Sequence, residues 1–132
     1  MKMSAQLVSE LNKHEIIVQT DNSTKGLLIP PKPSGFGSSI NGGELLLLAL
    51  ATCFCNDIYR EATRRNIAVS GVVVEVSGEF GAEGESGSNF TYKANVTADA
   101  SPDEIDALIR HTDQIAEIHN TLRQGLNIEL IT

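Results

Sequence analysis

Between Leu45 and Phe54 the apolar positions follow one another almost without interruption, Leu-Leu-Leu-Leu-Ala-Leu-Ala-Thr-Cys53-Phe. From Asn56 onward polar and charged residues enter, at Asp57, Arg60, Glu61 and Arg64. This pattern predicts a helix buried along most of its first half that leaves the core toward charge. Asn41 followed three positions later by Glu44 fits an N-cap with a returning carboxylate, so the helix is expected to begin about Gly42 and run to Arg65, with Asn66 ending it. Four consecutive leucines cannot share one face. The helix must therefore be covered on several sides, and a second copy of the chain, as a symmetric homodimer, is the expected cover.

The remaining pattern predicts a mixture of strands and one further long helix. Ala5–Glu10 and Glu15–Thr20 read as two short strands joined by a turn at Asn12-Lys13, and Gly26–Ile29 as a third. Pro30–Gly43 is dense in Pro, Gly and Ser and is expected to be a loop. Val69, Val72, Val73, Val74 and Val76 mark a strand over Ile67–Phe80. After the Gly-rich tip Gly81–Gly87, strict alternation of Phe90, Tyr92, Ala94 and Val96 with Thr91, Lys93, Asn95 and Thr97 marks its hairpin partner, with one wet face. Ser101-Pro-Asp-Glu104 combines an N-cap, a Pro at the first helical position and a capping-box Glu. The apolar stripe Ile105, Leu108, Ile109, Ile115, Ala116 and Leu122 carries that helix to an exit at Gly125, and Leu126–Ile131 then alternates as a final strand.

Composition narrows the class. The 132 residues suit one domain, 1–132, and 17 acidic residues against 10 basic give a net charge of −7 with no Lys/Arg cluster, so nucleic acid is not an expected partner. The N-terminal residues lack the apolar stretch of a secretory signal. The Leu45–Cys55 run falls short of the roughly 20 residues that span a bilayer. A cytoplasmic protein without membrane attachment is the expectation. In that reducing compartment, two cysteines suit redox or catalytic roles better than a structural disulfide.

Cys53 is either inert packing or a reactive centre. Asp57 follows it by one helical turn and Arg60 by two, so the three share a face: Asp57 alone opposes a thiolate, and Arg60 would offset it. The alternative is an exposed Asp57/Arg60/Glu61/Arg64 face with ordinary helical pairs. Cys55 projects roughly 200° away from Cys53 on a helix and is expected to pack rather than react. His119 falls on the inward stripe and could lower the Cys53 pKa or supply a proton, or could be a satisfied core histidine. Glu44, about 900° of helix before Cys53, is assigned to capping. No Cys/His spacing suggests a metal site, no glycine pattern suggests a nucleotide, and no cofactor is expected.

The Gly-containing loop, the Glu44-Leu-Leu-Leu helix start, Ala49-Leu-Ala-Thr-Cys53-Phe, the hairpin and the capped helix ending in Asn120-Thr-Leu-Arg-Gln-Gly125 together resemble the OsmC/Ohr family over nearly the whole chain. The resemblance implies an α+β intertwined homodimer with two central Cys-bearing helices flanked by antiparallel β-sheets. It also implies thiol-dependent reduction of small organic hydroperoxides, with Cys53 at the reactive position. The chain departs from the family pattern twice. No resolving Cys lies on the second helix, where Ala116 occupies the aligned position, and no Arg precedes the Cys-bearing helix, only Lys2, Lys13, Lys25 and Lys32. The implied activity is therefore a one-cysteine cycle recharged by an external thiol reductant. Cys53 would be the nucleophile, Arg60 or a partner-subunit Lys its stabiliser, and Asp57 or His119 the proton carrier. The competing class is a non-catalytic dimer that binds a small apolar ligand in the inter-subunit cleft.

Overall fold

The computed structural model describes residues 1–132. Backbone packing separates them into two compact units, Met1–Leu45 and Leu46–Thr132.

The first unit is a three-stranded antiparallel sheet followed by a loop. Strands β1 (Met3–Glu10), β2 (Lys13–Thr20) and β3 (Ser23–Leu27) pair in sequence order, each joined to the next by two residues. Asn12, the second residue of the first connection, and Asp21, the first residue of the second, have positive φ, the backbone that two-residue hairpin turns require. The expected third strand lies slightly earlier than its apolar residues suggested, because Ile16 of β2 pairs with Leu27 and leaves Leu28 and Ile29 beyond the ladder. Gly35, at φ +84°, accepts from the Asn12 N–H at 2.7 Å, and a Cβ there would lie 2.7 Å from Asn12 Oδ1, so only glycine fits this join between loop and hairpin. At the loop's end Asn41 and Glu44 form the anticipated reciprocal cap, with Glu44 N–H to Asn41 Oδ1 at 2.8 Å and Asn41 N–H to Glu44 Oε1 at 3.1 Å.

The second unit is built on helix α1 (Gly42–Arg64), whose first residues complete the cap just described. Its exit is a Schellman turn. Asn66 takes the left-handed conformation (φ 55°), Ile67 N–H bonds Ala62 C=O and Asn66 N–H bonds Thr63 C=O. Strands β4 (Ala68–Glu79) and β5 (Ser88–Asp99) form the expected hairpin, with Val72 opposite Val96, Val74 opposite Ala94 and Val76 opposite Tyr92. Of these, Val72, Val74, Tyr92, Ala94 and Val96 pack on Phe54, Ile58 and Ala62 of α1 and on Leu108 of helix α2 (Pro102–Ile115). By length and composition α1 could cross a membrane. Its C-terminal half instead buries Asp57 and Glu61 among ion partners beside this core, an arrangement suited to a protein interior rather than to lipid.

Two expectations fail here. The second long helix is broken at Ala116, which adopts extended backbone (φ −65°, ψ 110°), and α3 (Glu117–Gln124) begins after it. Side chains hold the break by taking up carbonyls freed at the end of α2: Asn120 Nδ2 donates to Gln114 C=O at 2.9 Å, and Arg123 Nη1 to Asp113 C=O at 3.1 Å. The final strand is also absent. Leu126–Ile131 has no ladder partner, and Leu126, Ile128, Leu130 and Ile131 are all exposed. Alternation makes a segment fit for a strand, but a strand exists only where another backbone pairs with it.

Candidate functional site

Cys53 lies on the turn of α1 between the leucine-rich start and the buried Phe54–Ile58 segment, and its side chain is partly exposed. Its thiol donates to Asp57 Oδ2 at 3.7 Å, as the four-residue spacing on a helix allows. Asp57 is buried and is gripped on its other oxygen by Arg60 Nη1 at 2.9 Å. The helix thus carries a chain of thiol, carboxylate and guanidinium along one stripe. From the facing side, the backbone N–H groups of Ile118 and Glu117, at the start of α3, lie near enough to lower the thiol pKa. They come there because the chain breaks at Ala116.

The electrostatics of the thiol follow from these neighbours. Burial pushes the Cys53 pKa up; the Ile118 N–H pulls it down, and the Asp57 charge and hydrogen bond push it up again. The net direction is upward, so Cys53 is held as a thiol in the isolated chain. Arg60 makes no hydrogen bond to the sulfur. It is divided between Asp57 and Glu61, whose Oε1 it meets at 3.2 Å.

Glu61 is a hub that the sequence reading placed only among surface charges. It is buried and collects Arg60, Arg64 at 2.8 Å and His111 Nε2 at 3.3 Å. Burial alone would raise its pKa, but these three partners outweigh it and hold the carboxyl below the ordinary range. The signal was available: Glu61 sits three and four residues from Ile58 and Asp57, on the inward face.

His119 points inward as its stripe suggested, near enough to Asp57 to feel its charge, but does not bond to the thiol. Its ring packs on Tyr92 (centroids 4.6 Å apart) and Phe54 (5.7 Å), and makes no hydrogen bond to Cys53 or to any other group. Burial, reinforced by the Arg123 charge, lowers its pKa and keeps it neutral. Beside it Tyr92 donates a short hydrogen bond to Asp113, which Arg123 also grips at 2.6 Å. Cys55 faces elsewhere, toward Val72 and Val74 of β4, and both cysteines are free.

The profile of OsmC-like proteins matches residues 35–131, and the chain belongs to that family. Among curated proteins there is no significant sequence match. Solved structures give the fold. The chain is similar to an OsmC-like protein from Mycoplasma pneumoniae at TM-score 0.64 and 21% identity, covering 96% of this chain and 91% of that one. It is similar to an OsmC-like protein of unknown function from Vibrio cholerae at 0.65 and 12%, covering 91% and 92%. An OsmC-like hydroperoxide resistance protein from Jannaschia sp. aligns at 0.57 and 17%, covering 96% and 87%. The α+β, OsmC-like class expected from the sequence is thereby established.

Proposed function

We propose that this protein defends against peroxides by reducing small organic hydroperoxides at Cys53, in a one-cysteine cycle, as a homodimer. The observation that carries the proposal is the Cys53–Asp57–Arg60 chain: a partly exposed sulfur whose proton already has a buried, cation-held acceptor. Family membership and the described role of the Jannaschia relative in hydroperoxide resistance support it.

Because the thiol pKa is raised, proton loss accompanies S–O bond formation rather than preceding it. Sulfur attacks one peroxide oxygen as its proton passes to Asp57. The O–O bond breaks, sulfur is oxidised to sulfenic acid, and the departing alkoxide takes the proton from Asp57 to leave as an alcohol. The Ile118 and Glu117 N–H groups stabilise negative charge on sulfur during the attack. One external thiol then condenses with the sulfenic acid and releases water. A second attacks the mixed disulfide, restores Cys53 and leaves as the oxidised disulfide, which requires a reducing compartment. The apolar first half of α1 favours an alkyl or aryl peroxide over hydrogen peroxide.

The test is consumption of cumene hydroperoxide with dithiothreitol as reductant. Wild type and Cys55→Ser are expected to turn over and Cys53→Ser to be inactive, with a dimedone adduct on Cys53 after one equivalent of peroxide. Turnover surviving in Cys53→Ser would overturn the proposal.

A further inference from the structure

In an unbroken α-helix the N–H of Glu117 would bond the Asp113 carbonyl, and that of Ile118 the Gln114 carbonyl. At the break between α2 and α3 these two carbonyls are taken by side chains instead, Asp113 by Arg123 Nη1 at 3.1 Å and Gln114 by Asn120 Nδ2 at 2.9 Å. Neither amide bonds a carbonyl across the break. The two amides set free are the ones beside Cys53, where they pull the thiol pKa down against its burial. Ala116, the N-cap of α3, has no side chain with which to claim them, so they stay available to the sulfur.

A further layer of bonds fixes Arg123 in this exchange. Its Nη2 donates to Asp113 Oδ1 at 2.6 Å, so one guanidinium grips both the carbonyl and the carboxylate of a single residue, and Tyr92 of β5 donates to the same Oδ1. Asp113 thereby ties α2, α3 and the hairpin together at one oxygen. Burial pushes the Tyr92 phenol pKa up and Asp113 pushes it further, so Tyr92 stays a donor. Burial would raise the Asp113 pKa as well, but Tyr92 and Arg123 outweigh it and hold the carboxyl below the ordinary range. The other cations around Asp113 are occupied, Lys93 by Glu75 at 2.7 Å and Arg110 by Asp106 at 2.8 Å. We propose that Tyr92, Asp113 and Arg123 are positioning residues for Cys53: they keep the second helix broken and hold the start of α3, with its unpaired amides, against the sulfur.

This role rests on Cys53 being the working thiol, yet alkylation reads it without peroxide. In the full-length protein with Cys55→Ser, so that one thiol reports, iodoacetamide alkylation is followed against pH together with the Ile118 amide shift. The titratable groups around the sulfur, Asp57 on α1 and Glu117 and His119 on α3, are kept in every variant. Arg123→Lys keeps the positive charge but cannot span carbonyl and carboxylate, and Tyr92→Phe removes the bond to Asp113 while keeping the ring. We expect each to raise the Cys53 midpoint by about half a pH unit, roughly a threefold loss of thiolate, and to shrink the Ile118 amide shift that accompanies ionisation. Val96→Ala, a core truncation in the same hairpin, should lower the urea midpoint and leave both readings in place. Unchanged midpoints in both Arg123→Lys and Tyr92→Phe, or an equal rise in Val96→Ala, would overturn the proposal. A wild type without peroxide turnover, in which the midpoints still move as expected, would sink the peroxide reading and leave this one standing.

Discussion

Asp57 acts on Cys53 in two opposed ways, and one substitution separates them. Its charge and hydrogen bond raise the thiol pKa, so Asp57→Asn should move the midpoint of Cys53 alkylation against pH downward. Yet the same substitution removes the proton acceptor, so peroxide turnover should fall by roughly 10²-fold, within the range expected of general-base catalysis. A variant that is easier to ionise but slower would identify Asp57 as base; a faster one would show that thiolate population alone limits the rate. His119 gives a second pH signature. Its folded pKa is depressed, so between that value and the ordinary histidine value the unfolded chain binds more protons. Stability should be full above about pH 6.5 and decline as pH falls through the lowered pKa. Urea midpoints measured across this range should slope for wild type and flatten for His119→Phe. The shared stripe of Cys53, Asp57 and Arg60 was legible because helical spacing alone decides which side chains are neighbours. Where Arg60 would turn was not, because Glu61 competes for it, and the spacing that puts Glu61 on the Ile58 face does not say which cations it gathers.

At the scale of elements, the boundaries written in local chemistry were readable. The Ser101–Glu104 capping box forms as expected, with Glu104 N–H to Ser101 Oγ at 3.2 Å and the reciprocal bond at 3.0 Å. The Asn66 exit is likewise local, since a single left-handed residue closes both bonds of the turn. The break at Ala116 carries no such mark, because alanine is a strong helix former and the apolar stripe runs straight through it. What stabilises the break lies downstream, in Asn120 and Arg123. Asn120→Ala should therefore cost about 1 kcal/mol, read as a lowered urea midpoint at fixed protein concentration. The same variant should loosen the approach of the Ile118 and Glu117 N–H groups to Cys53 and raise its alkylation midpoint further.

The whole chain leaves a large apolar surface uncovered. Leu48 on α1 is 59% exposed, Leu7 and Ile17 of the first sheet are exposed, and the segment after Gly125 presents Ile128, Leu130 and Ile131 to solvent. Exposed apolar surface on this scale marks an association face, and closure by a symmetric second copy is the simplest way to cover it. Sedimentation equilibrium should give twice the chain mass. Leu48→Lys, which places a charge on the exposed stripe of α1, should shift the population toward monomer, and a wild-type monomer at micromolar concentration would refute the homodimer.

The amino-acid sequence by itself determined the α+β class, the order of the first helix and the hairpin, the caps that start both long helices, and the stripe on which Cys53 and Asp57 meet. Each of these rests on interactions within a few residues or on a periodicity of one element, and such information is complete in the local chain. Tertiary structure alone decided that the second helix breaks at Ala116, that Glu61 gathers three partners, that His119 packs on Tyr92 and Phe54 without a hydrogen bond, and that Leu126–Ile131 forms no strand. These depend on which surfaces meet across long separations in sequence, and a backbone or a ring acquires its role there only from what stands opposite it.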